Sequence, residues 1–388
     1  MDERTRLIRS ATRRPEARRP VNPPIERGTT LLNRRAADLR DENLGPVYGI
    51  DGASVHVELR QRLAEMEGAA DTFVVSTGLA AVSLALLALV SSGDEILISD
   101  ASYWPSRRLL QRTMKRLGVT FRAHHPRATP DEIATLFTDR TRVLLMESPG
   151  TATFEIQDVP DVVARCRDAG VHSVVDNTWA AGLLFKPLAH GADISVQALS
   201  KYVSGHSDVF GGAVSCGSAV VARRVNELIE DLGLYVSPDD AWLMLRGLRT
   251  LPVRLAQHEA NARHVADWLR VRPEVSEVLW PALASSPDHA LWQRDFTGAA
   301  SLMGVVLNGG DTRSAAAMLD TLELFGLGFS WGGYESLATC EDAQLAARSR
   351  PPQMAGPLIR LHIGLENPDD LIADLTRGLA AYRSAKTG

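Results

Sequence analysis

The stretch that decides the fold is ISVQALSKYVSGHSDVFGG, residues 194–212. It places Lys201 directly after a short apolar run and before a loop of glycine and hydroxyl residues. Lysine is among the residues that proteins bury least often, yet the flanking segments ISVQAL and FGGAV have the composition of buried strands. These flanks disfavour the alternative, a solvated lysine on a surface loop. A lysine at this position therefore requires a chemical explanation.

Upstream of this stretch, short apolar strands alternate with helical segments, and the glycines at 118 and 170 end two of these helices. This alternation predicts an α/β fold with a mostly parallel sheet covered by helices on both faces. The predicted strands are DTFVV (71–75), DEILISD (94–100), VTFRAH (119–124), TRVLLMESP (141–149), HSVVDNT (172–178), ISVQALS (194–200) and GGAVSC (211–216).

The chain of 388 residues is long enough for two or three domains. We expect an extended N-terminal arm over residues 1–50, where Pro20, Pro23 and Pro24 discourage helix formation. A large domain is expected over residues 51–245. A smaller α+β domain is expected over residues 246–388. The Arg-rich segment RSATRRPEARRP, residues 9–20, is interpreted as a solvated and partly flexible part of the arm.

Composition excludes several function classes. The formal net charge of −5 provides no basic field for nucleic acid. The N-terminus lacks the apolar core of a secretory signal, and the longest apolar stretch, residues 79–90, is too short to cross a membrane. The three cysteines are scattered without a CxxC pair, which disfavours a zinc site or a disulfide framework. A cytoplasmic protein with a small-molecule substrate is expected.

Ligands of doubly wound sheets bind beyond the carboxyl ends of the strands. Gly78 follows such a strand and begins a helix, where free amides and the helix dipole favour phosphate. Any strand–turn–helix connection can also require a glycine there. Tyr103 follows the next strand, where it could stack on a planar ring or pack in the core.

Asp176 ends the predicted strand HSVVDNT, and Lys201 follows 25 positions later, so both could face one cavity. An aspartate at a strand end often caps a helix or forms a turn. It can equally serve as the fixed carboxylate that a protonated pyridine nitrogen needs. Burial lowers the pKa of a lysine and favours the free amine, which forms a Schiff base.

Arg360 is a charge within the apolar alternating run PLIRLHIG. Its guanidinium suits a substrate carboxylate, although an ion pair with a protein acid is the competing interpretation. With Lys201, Asp176, Gly78 and Tyr103 it makes up the parts of a pyridoxal 5'-phosphate (PLP) site, in which the cofactor stabilises a carbanion.

At this point the sequence resembles the Cys/Met-metabolism PLP-dependent enzymes, most strongly the bacterial cystathionine β-lyases. The resemblance covers nearly the whole chain after the arm. It rests on VVDNTWAAGLLFKPLAHGADISVQALSKYVSGHSDVFGGAV (174–214), ESPGTATFEIQDVP (147–160), RGLRTLPVRLAQH (246–258), FSWGGYESL (329–337) and LIRLHIGLENPDDLIADL (358–375). It implies a type I aminotransferase-like fold, PLP as cofactor, and a homo-oligomer, usually a tetramer built as a dimer of dimers with shared active sites.

The resemblance also implies roles for individual residues. Lys201 would form the imine with PLP and then move protons between Cα and the leaving group. Asp176 would hold the pyridinium nitrogen, Tyr103 would stack on the ring, and Arg360 would bind the substrate α-carboxylate. The remaining implied positions are Gly78, Leu79 and Ser200 for the phosphate, Tyr48 for the phosphate of the neighbouring subunit, and Ser330 and Trp331 beside the substrate carboxylate.

One segment departs from the family pattern. β-Lyases usually read Tyr-Gly-Arg-Arg-Gly where this chain has Tyr48-Gly49-Ile50-Asp51-Gly52. Losing both arginines removes a phosphate donor and the positive charge that would face the distal carboxylate of cystathionine. A neutral or basic distal group is then favoured. Alternatively, Asp51 only turns the chain before Gly52.

The expected reaction is β-elimination of cystathionine, or of another cysteine S-conjugate, to a thiol such as homocysteine, pyruvate and ammonia. Phe329 and Trp331 stand where relatives with γ-chemistry tend to carry Glu and Leu, which favours the β-reaction. The alternative is a γ-lyase or γ-replacement enzyme acting on an amino acid with a neutral or basic distal group, such as canavanine. A non-catalytic PLP-fold binding protein is a remote third possibility.

Overall fold

The structure is a computed structural model and describes residues 2–8, 20–41 and 44–387. Residues 9–19, which contain nearly all of the Arg-rich segment, lie outside the described residues. The arm is not extended throughout, because Glu3–Ile8 forms a short helix, α1. Leu7 on this helix is buried in the main hydrophobic core, and the Glu3 carboxylate accepts a hydrogen bond from the Lys186 ammonium. The expectation of a fully extended arm is therefore wrong for these residues, since the burial of Leu7 and the contact between Glu3 and Lys186 dock a short helix there.

The larger sheet has seven strands in the order β1-β7-β6-β5-β4-β2-β3. β7 runs antiparallel to both of its neighbours, and the other neighbouring pairs are parallel. The mostly parallel sheet predicted from the alternating pattern is thus confirmed. Its strands are β1 (Asp71–Val75), β2 (Glu95–Ser99), β3 (Thr120–His124), β4 (Thr141–Glu147), β5 (His172–Asp176), β6 (Ile194–Ala198) and β7 (Gly212–Cys216).

Helices cover both faces of this sheet, as apolar residues on both sides of the central strands require. One face packs against the core that contains Leu59 of α2 and Val162 of α6, and the other against the core that contains Val82 of α3 and Val221 of α7. The helices of this region are α2 (Ser54–Glu67), α3 (Gly78–Leu87), α4 (Trp104–Leu109), α5 (Pro130–Ala134), α6 (Val159–Ala169) and α7 (Ala219–Leu232).

The C-terminal part contains a five-stranded sheet in the order β10-β11-β12-β9-β8, in which all neighbouring pairs except β10–β11 are antiparallel. This matches the expected smaller α+β unit, and the boundaries at residues 50 and 245 stay predictions. Its elements and the helices leading to it are α8 (Pro238–Leu248), α9 (Leu251–Leu269), β8 (Val275–Leu279), α10 (His289–Asp295), β9 (Leu302–Leu307), α11 (Thr312–Thr321), β10 (Gly326–Leu327), β11 (Leu337–Cys340), α12 (Asp342–Ala346), β12 (Leu358–His362) and α13 (Pro368–Thr387).

A close approach between α3 and β6 defines the edge where the site forms. A Cβ at Gly78 would lie 2.5 Å from the Cβ of Ala198, a separation that real side chains do not reach. Glycine is therefore needed for the start of α3 to contact the end of β6, three residues before Lys201. Over the described ranges, no helix has the length and apolar character needed to span a membrane.

Candidate active site

Lys201 lies in the turn that follows β6, and its ammonium faces the C-terminal unit. Its Nζ donates a hydrogen bond to Ser330 Oγ at 2.6 Å and lies 5.3 Å from the centre of the Trp331 ring. Burial and the nearby Arg360 charge lower the pKa of Lys201 to about 8, despite the opposing attraction of Asp176. The side chain therefore has a much larger fraction of free amine near neutral pH than an ordinary lysine has.

Asp176 ends β5, and two donors of one residue fix its carboxylate. Thr178 donates to Asp176 Oδ1 from its amide at 3.1 Å and from its hydroxyl at 2.5 Å. The Ala198 amide donates to that hydroxyl at 2.9 Å, so β6 also fixes the orientation. Asp176 Oδ2 has no hydrogen-bond partner within the described part of the chain. The result is an oriented carboxylate with one oxygen available to a ligand.

Glu147 is a site residue that the sequence reasoning missed. It ends β4 and pairs in register with Asp176 across the two parallel strands. Its Oε2 accepts a hydrogen bond from the Tyr103 amide at 2.6 Å, and its Oε1 accepts one from the Thr151 hydroxyl. Burial and the Asp176 charge raise the pKa of Glu147 to about 8. The signal was present in TRVLLMESP, since an acid ends this predicted strand just as Asp176 ends the next.

Tyr103 precedes the first residue of α4, and its side chain is not in the core. The residue is 44% exposed, which favours the ligand-stacking interpretation over core packing. Burial of the hydroxyl, followed by the Glu147 and Asp176 charges, raises the pKa of Tyr103, while Arg360 opposes this effect. The tyrosine thus lies beside the same carboxyl pair.

Arg360 lies in the middle of β12 and reaches the same cluster from the C-terminal unit. Its Nη1 is 3.4 Å from Glu341 Oε1, and its Nη2 donates to the Ser330 carbonyl at 3.3 Å. The ion pair with a protein acid therefore exists, and the positive charge of Arg360 is close enough to lower the pKa of Lys201 and to oppose the rise in the pKa of Tyr103. Glu341 orients the cation.

Unpaired polar groups lie on the α3 side of the site. The first amides of a helix have no partner within the helix. Thr77 Oγ1 caps the Ala80 amide at 3.0 Å, which leaves the Gly78 and Leu79 amides for a ligand. Ser200 is half-buried, and its hydroxyl makes no hydrogen bond to any described residue. These groups form a cradle suited to a phosphate.

The structure does not bring the arm segment into this cluster. Tyr48 is 53% and Ile50 is 41% exposed, and no hydrogen bond or ion pair among the described residues connects residues 48–51 with Lys201, Asp176 or Arg360. Asp51 Oδ2 accepts hydrogen bonds from the amides of Val47 at 3.0 Å and Tyr48 at 2.8 Å. Asp51 therefore forms the turn, as the alternative interpretation of this segment held.

The residues present fit PLP. The site offers a free amine for its aldehyde, an oriented carboxylate oxygen for its ring nitrogen, and a glycine-started helix for its phosphate. The close approach at Gly78 leaves no room for a side chain at this point.

Comparisons with known proteins agree with this chemistry. Residues 4–380 match the family model described as "Cys/Met metabolism PLP-dependent enzyme". The chain is 42% identical over 367 residues to a "Putative cystathionine beta-lyase" of Rhizobium johnstonii, with 93% of this chain and 91% of the relative covered. It is 40% identical over 374 residues to "Cystathionine beta-lyase MetC" of Escherichia coli, with 93% of each chain covered.

A solved structure extends the likeness to the whole fold. The cystathionine gamma synthase of Xanthomonas oryzae pv. oryzae, in complex with aminoacrylate and cysteine, superposes with a TM-score of 0.90 at 32% identity and covers 99% of each chain. This confirms the type I fold expected from the resemblance. The chain therefore belongs to the family of Cys/Met metabolism PLP-dependent enzymes.

Proposed function

We propose that this enzyme is a carbon–sulfur lyase that carries out β-elimination on cystathionine or another cysteine S-conjugate. Cystathionine and water would give homocysteine, pyruvate and ammonia. The observation that carries the proposal is the position of the Lys201 amine, which is hydrogen-bonded to Ser330, lies 5.3 Å from the centre of the Trp331 ring and is near the charges of Asp176 and Arg360. An amine placed there can reach both Cα and the leaving group of a bound amino acid.

Different residues would bind the cofactor, bind the substrate and transfer protons. PLP, when bound, supplies the electron sink that stabilises the Cα carbanion. Asp176 Oδ2 holds the ring nitrogen and Arg360 binds the substrate α-carboxylate. Lys201 Nζ accepts the Cα proton and delivers a proton to the departing sulfur. Tyr103 stacks on the ring, and the amides of Gly78 and Leu79, with the Ser200 hydroxyl, hold the phosphate.

One aromatic residue supports a thioether substrate, since the centre of the Trp331 ring lies 5.3 Å from Lys201 Nζ. This ring provides an apolar surface beside the amine, which suits the thioether portion of a cysteine S-conjugate. Phe329 is 89% exposed and projects into solvent, so its support for the β-reaction comes from the sequence pattern alone.

A γ-lyase or γ-replacement enzyme is the second candidate, and the arm segment favours it. Ile50 supplies no cation where β-lyases carry arginine, and Asp51 uses its carboxylate on its own turn. A distal carboxylate would therefore find no partner there, so an amino acid with a neutral or basic distal group, such as canavanine, becomes a competing substrate.

The proposal includes a homo-oligomer with shared active sites, a tetramer built as a dimer of dimers. The arm exposes Val21 by 86%, Leu32 by 94% and Leu44 by 65%, and a cleft of about 680 Å³ separates it from α2. Exposed apolar groups of this size favour contact with a second copy. Such a contact would bring the partner's arm, with its tyrosine at position 48, to the phosphate. We place the enzyme in the cytoplasm, consistent with its three free thiols.

A substrate panel tests the proposal. The PLP-loaded enzyme is mixed separately with cystathionine, an S-alkyl-cysteine and canavanine, and pyruvate is assayed against 2-oxobutanoate and homoserine. Pyruvate from a cysteine conjugate is expected. If no cysteine conjugate gives pyruvate while canavanine gives a four-carbon product, the γ-candidate replaces it.

A variant pair isolates the distal-group effect. Ile50→Arg restores a cation without touching the Asp51 turn, and Ile25→Arg adds the same charge to a similarly exposed position of the arm. Ile50→Arg is expected to raise kcat/KM for cystathionine by about tenfold, the value of one ion pair of about 1.4 kcal/mol. An equal effect of Ile25→Arg would show that only net charge matters.

A further inference from the structure

The turn that holds Ser330 has an unusual backbone. Ser330 has φ 86° and Gly332 has φ 88°, so a non-glycine residue occupies the left-handed region at strain. A Cβ at Gly332 would lie 2.6 Å from the Tyr202 amide nitrogen and 2.8 Å from the Lys201 carbonyl carbon. The turn therefore rests directly on the backbone of Lys201, and something must hold it in this strained form.

The front of the turn supplies contacts to the reacting amine. Ser330 Oγ accepts from Lys201 Nζ at 2.6 Å, and the Ser330 carbonyl accepts from Arg360 at 3.3 Å. A small shift of this turn would therefore change the environment of the amine and of the guanidinium together.

One imidazole holds the back of the turn. His362 is completely buried on β12, and its Nε2 lies 3.1 Å from the Gly332 amide nitrogen and 3.0 Å from the Gly333 carbonyl oxygen. Its Nδ1 lies 3.1 Å from Ser301 Oγ. Each ring nitrogen thus has a partner inside the protein.

The imidazole is neutral in this environment. Burial and the neighbouring His258 lower the pKa of His362 to about 3, and a neutral ring has one donor and one acceptor nitrogen. If Nε2 carries the hydrogen, it donates to the Gly333 carbonyl and Nδ1 accepts from the Ser301 hydroxyl. If Nδ1 carries it, Nε2 accepts from the Gly332 amide. Ser301 thus selects which half of the turn is held.

Ser301 returns the network to the catalytic lysine. Its amide donates to the Tyr202 hydroxyl at 3.0 Å, and its own hydroxyl lies 3.2 Å from the same oxygen. Tyr202 is the residue after Lys201, and its backbone amide nitrogen packs closely against Gly332. The contacts form a closed path from Lys201 through Tyr202, Ser301, His362 and the turn back to Lys201.

We propose that His362 is a positioning residue for the elimination, which holds the Ser330–Gly333 turn so that the Ser330 hydroxyl stays within hydrogen-bonding distance of the Lys201 amine. The inference rests on the proposed function only in assigning the proton transfer to Lys201. His362 contacts neither the substrate nor the cofactor in this arrangement. Its effect reaches the reaction through the turn.

The test compares His362→Leu, which cannot hydrogen-bond, with His362→Gln, whose amide reaches the Nε2 position. The apoenzyme is mixed with PLP, and the rate of imine formation is measured by absorbance at a series of pH values. Loss of the Ser330 acceptor disfavours the charged form of the Lys201 amine. His362→Leu, which keeps both Asp176 and Arg360, should therefore lower the pH midpoint of imine formation by about one unit. It should also lower kcat about tenfold and, because the Ser330 carbonyl holds Arg360, raise KM, and His362→Gln should restore both kinetic constants.

Two further variants keep the test decisive. His124→Leu removes a buried histidine of β3 that is hydrogen-bonded to the His125 carbonyl, outside this network, and should leave the midpoint unchanged. In a Ser330→Ala background, His362→Leu should produce no further shift of the midpoint. A full shift in that background, or no shift in the parent enzyme, would overturn the proposal. If His362→Leu does not fold, Ser301→Ala takes its place in the same comparison with the same two outcomes.

Discussion

Glu147 and Asp176 lie directly opposite each other across β4 and β5, so two carboxyl groups share one end of the parallel sheet. Burial raises the pKa of both, that of Glu147 to about 8. The two Thr178 hydrogen bonds and the Lys201 charge favour the ionised form of Asp176. We therefore expect the pair to keep one proton near neutral pH, held by Glu147, while Asp176 carries the charge.

This pair predicts a pH-dependent stability. The pKa of Glu147 in the folded protein lies above its ordinary value of 4.5, so the folded state binds more protons between about pH 5 and 8. Stability should fall as pH rises through this window. Glu147→Gln should reduce the loss of unfolding free energy between pH 5.5 and 7.5 by up to about 2 kcal/mol.

Urea denaturation of the apoenzyme at the two pH values measures this change. Glu277→Gln, at an exposed position of β8, is the matched control. It should keep the pH dependence of the unfolding free energy that the parent protein shows. If the change in unfolding free energy between the two pH values is the same in Glu147→Gln as in the parent protein, Glu147 is ionised throughout this range.

The Lys201 amine predicts how fast the apoenzyme captures PLP at each pH. Because its pKa is lowered to about 8, the rate of imine formation should rise from pH 7 to 9 and then level off. Arg360→Gln removes a cation that lowers this pKa, so the midpoint should move to higher pH. Stopped-flow absorbance measures the rate, and Arg223→Gln, which breaks an exposed pair with Glu227, should not move it. A midpoint near 10 in the parent protein would contradict the burial of the amine.

The charge of Asp176 and the orientation of its carboxylate are predicted to make separate contributions to kcat/KM. Asp176→Asn keeps an acceptor for Thr178 but removes the charge, and should lower kcat/KM by at least about 100-fold, or about 2.7 kcal/mol. Thr178→Val removes both the hydroxyl donor and the link to Ala198, and should cost about tenfold. Steady-state kinetics on the substrate found in the panel measure both. Equal losses would mean that orientation alone matters.

Gly78 is predicted to be intolerant of any side chain. Its Cβ would meet the Cβ of Ala198 at 2.5 Å, and overpacking of this kind costs about 1–3 kcal/mol. Gly78→Ala should therefore lower the thermal midpoint and weaken PLP binding, measured by titration. Gly68→Ala is the control for PLP binding, because no atom lies within 4 Å of the added methyl. Its φ of 68° adds backbone strain, so it should lower the thermal midpoint without weakening PLP binding. A PLP affinity equal to that of the parent would show that α3 can move away from β6.

The sequence predicted the strand ends and several of the groups on them, because apolar alternation and the residues that interrupt it are local signals. Lys201, Asp176 and Tyr103 belong to this class. Glu147 was missed although an acid near the end of a predicted strand is a local signal, because only the register between β4 and β5 places it opposite Asp176. His362 was missed because its partners, Ser301 and Gly332, are distant in the chain and meet only after the small sheet forms. The docking of α1 likewise depends on Leu7 reaching a core built by later residues.

The close packing of Gly332 against the Lys201 backbone links the two sheets. The turn that carries Ser330 connects strands of the small sheet, whereas Lys201 belongs to the large one. If the small sheet rotated so that Arg360 closed on a substrate carboxylate, Ser330 would move with it relative to the Lys201 amine. Substrate binding and the basicity of the amine would then change together.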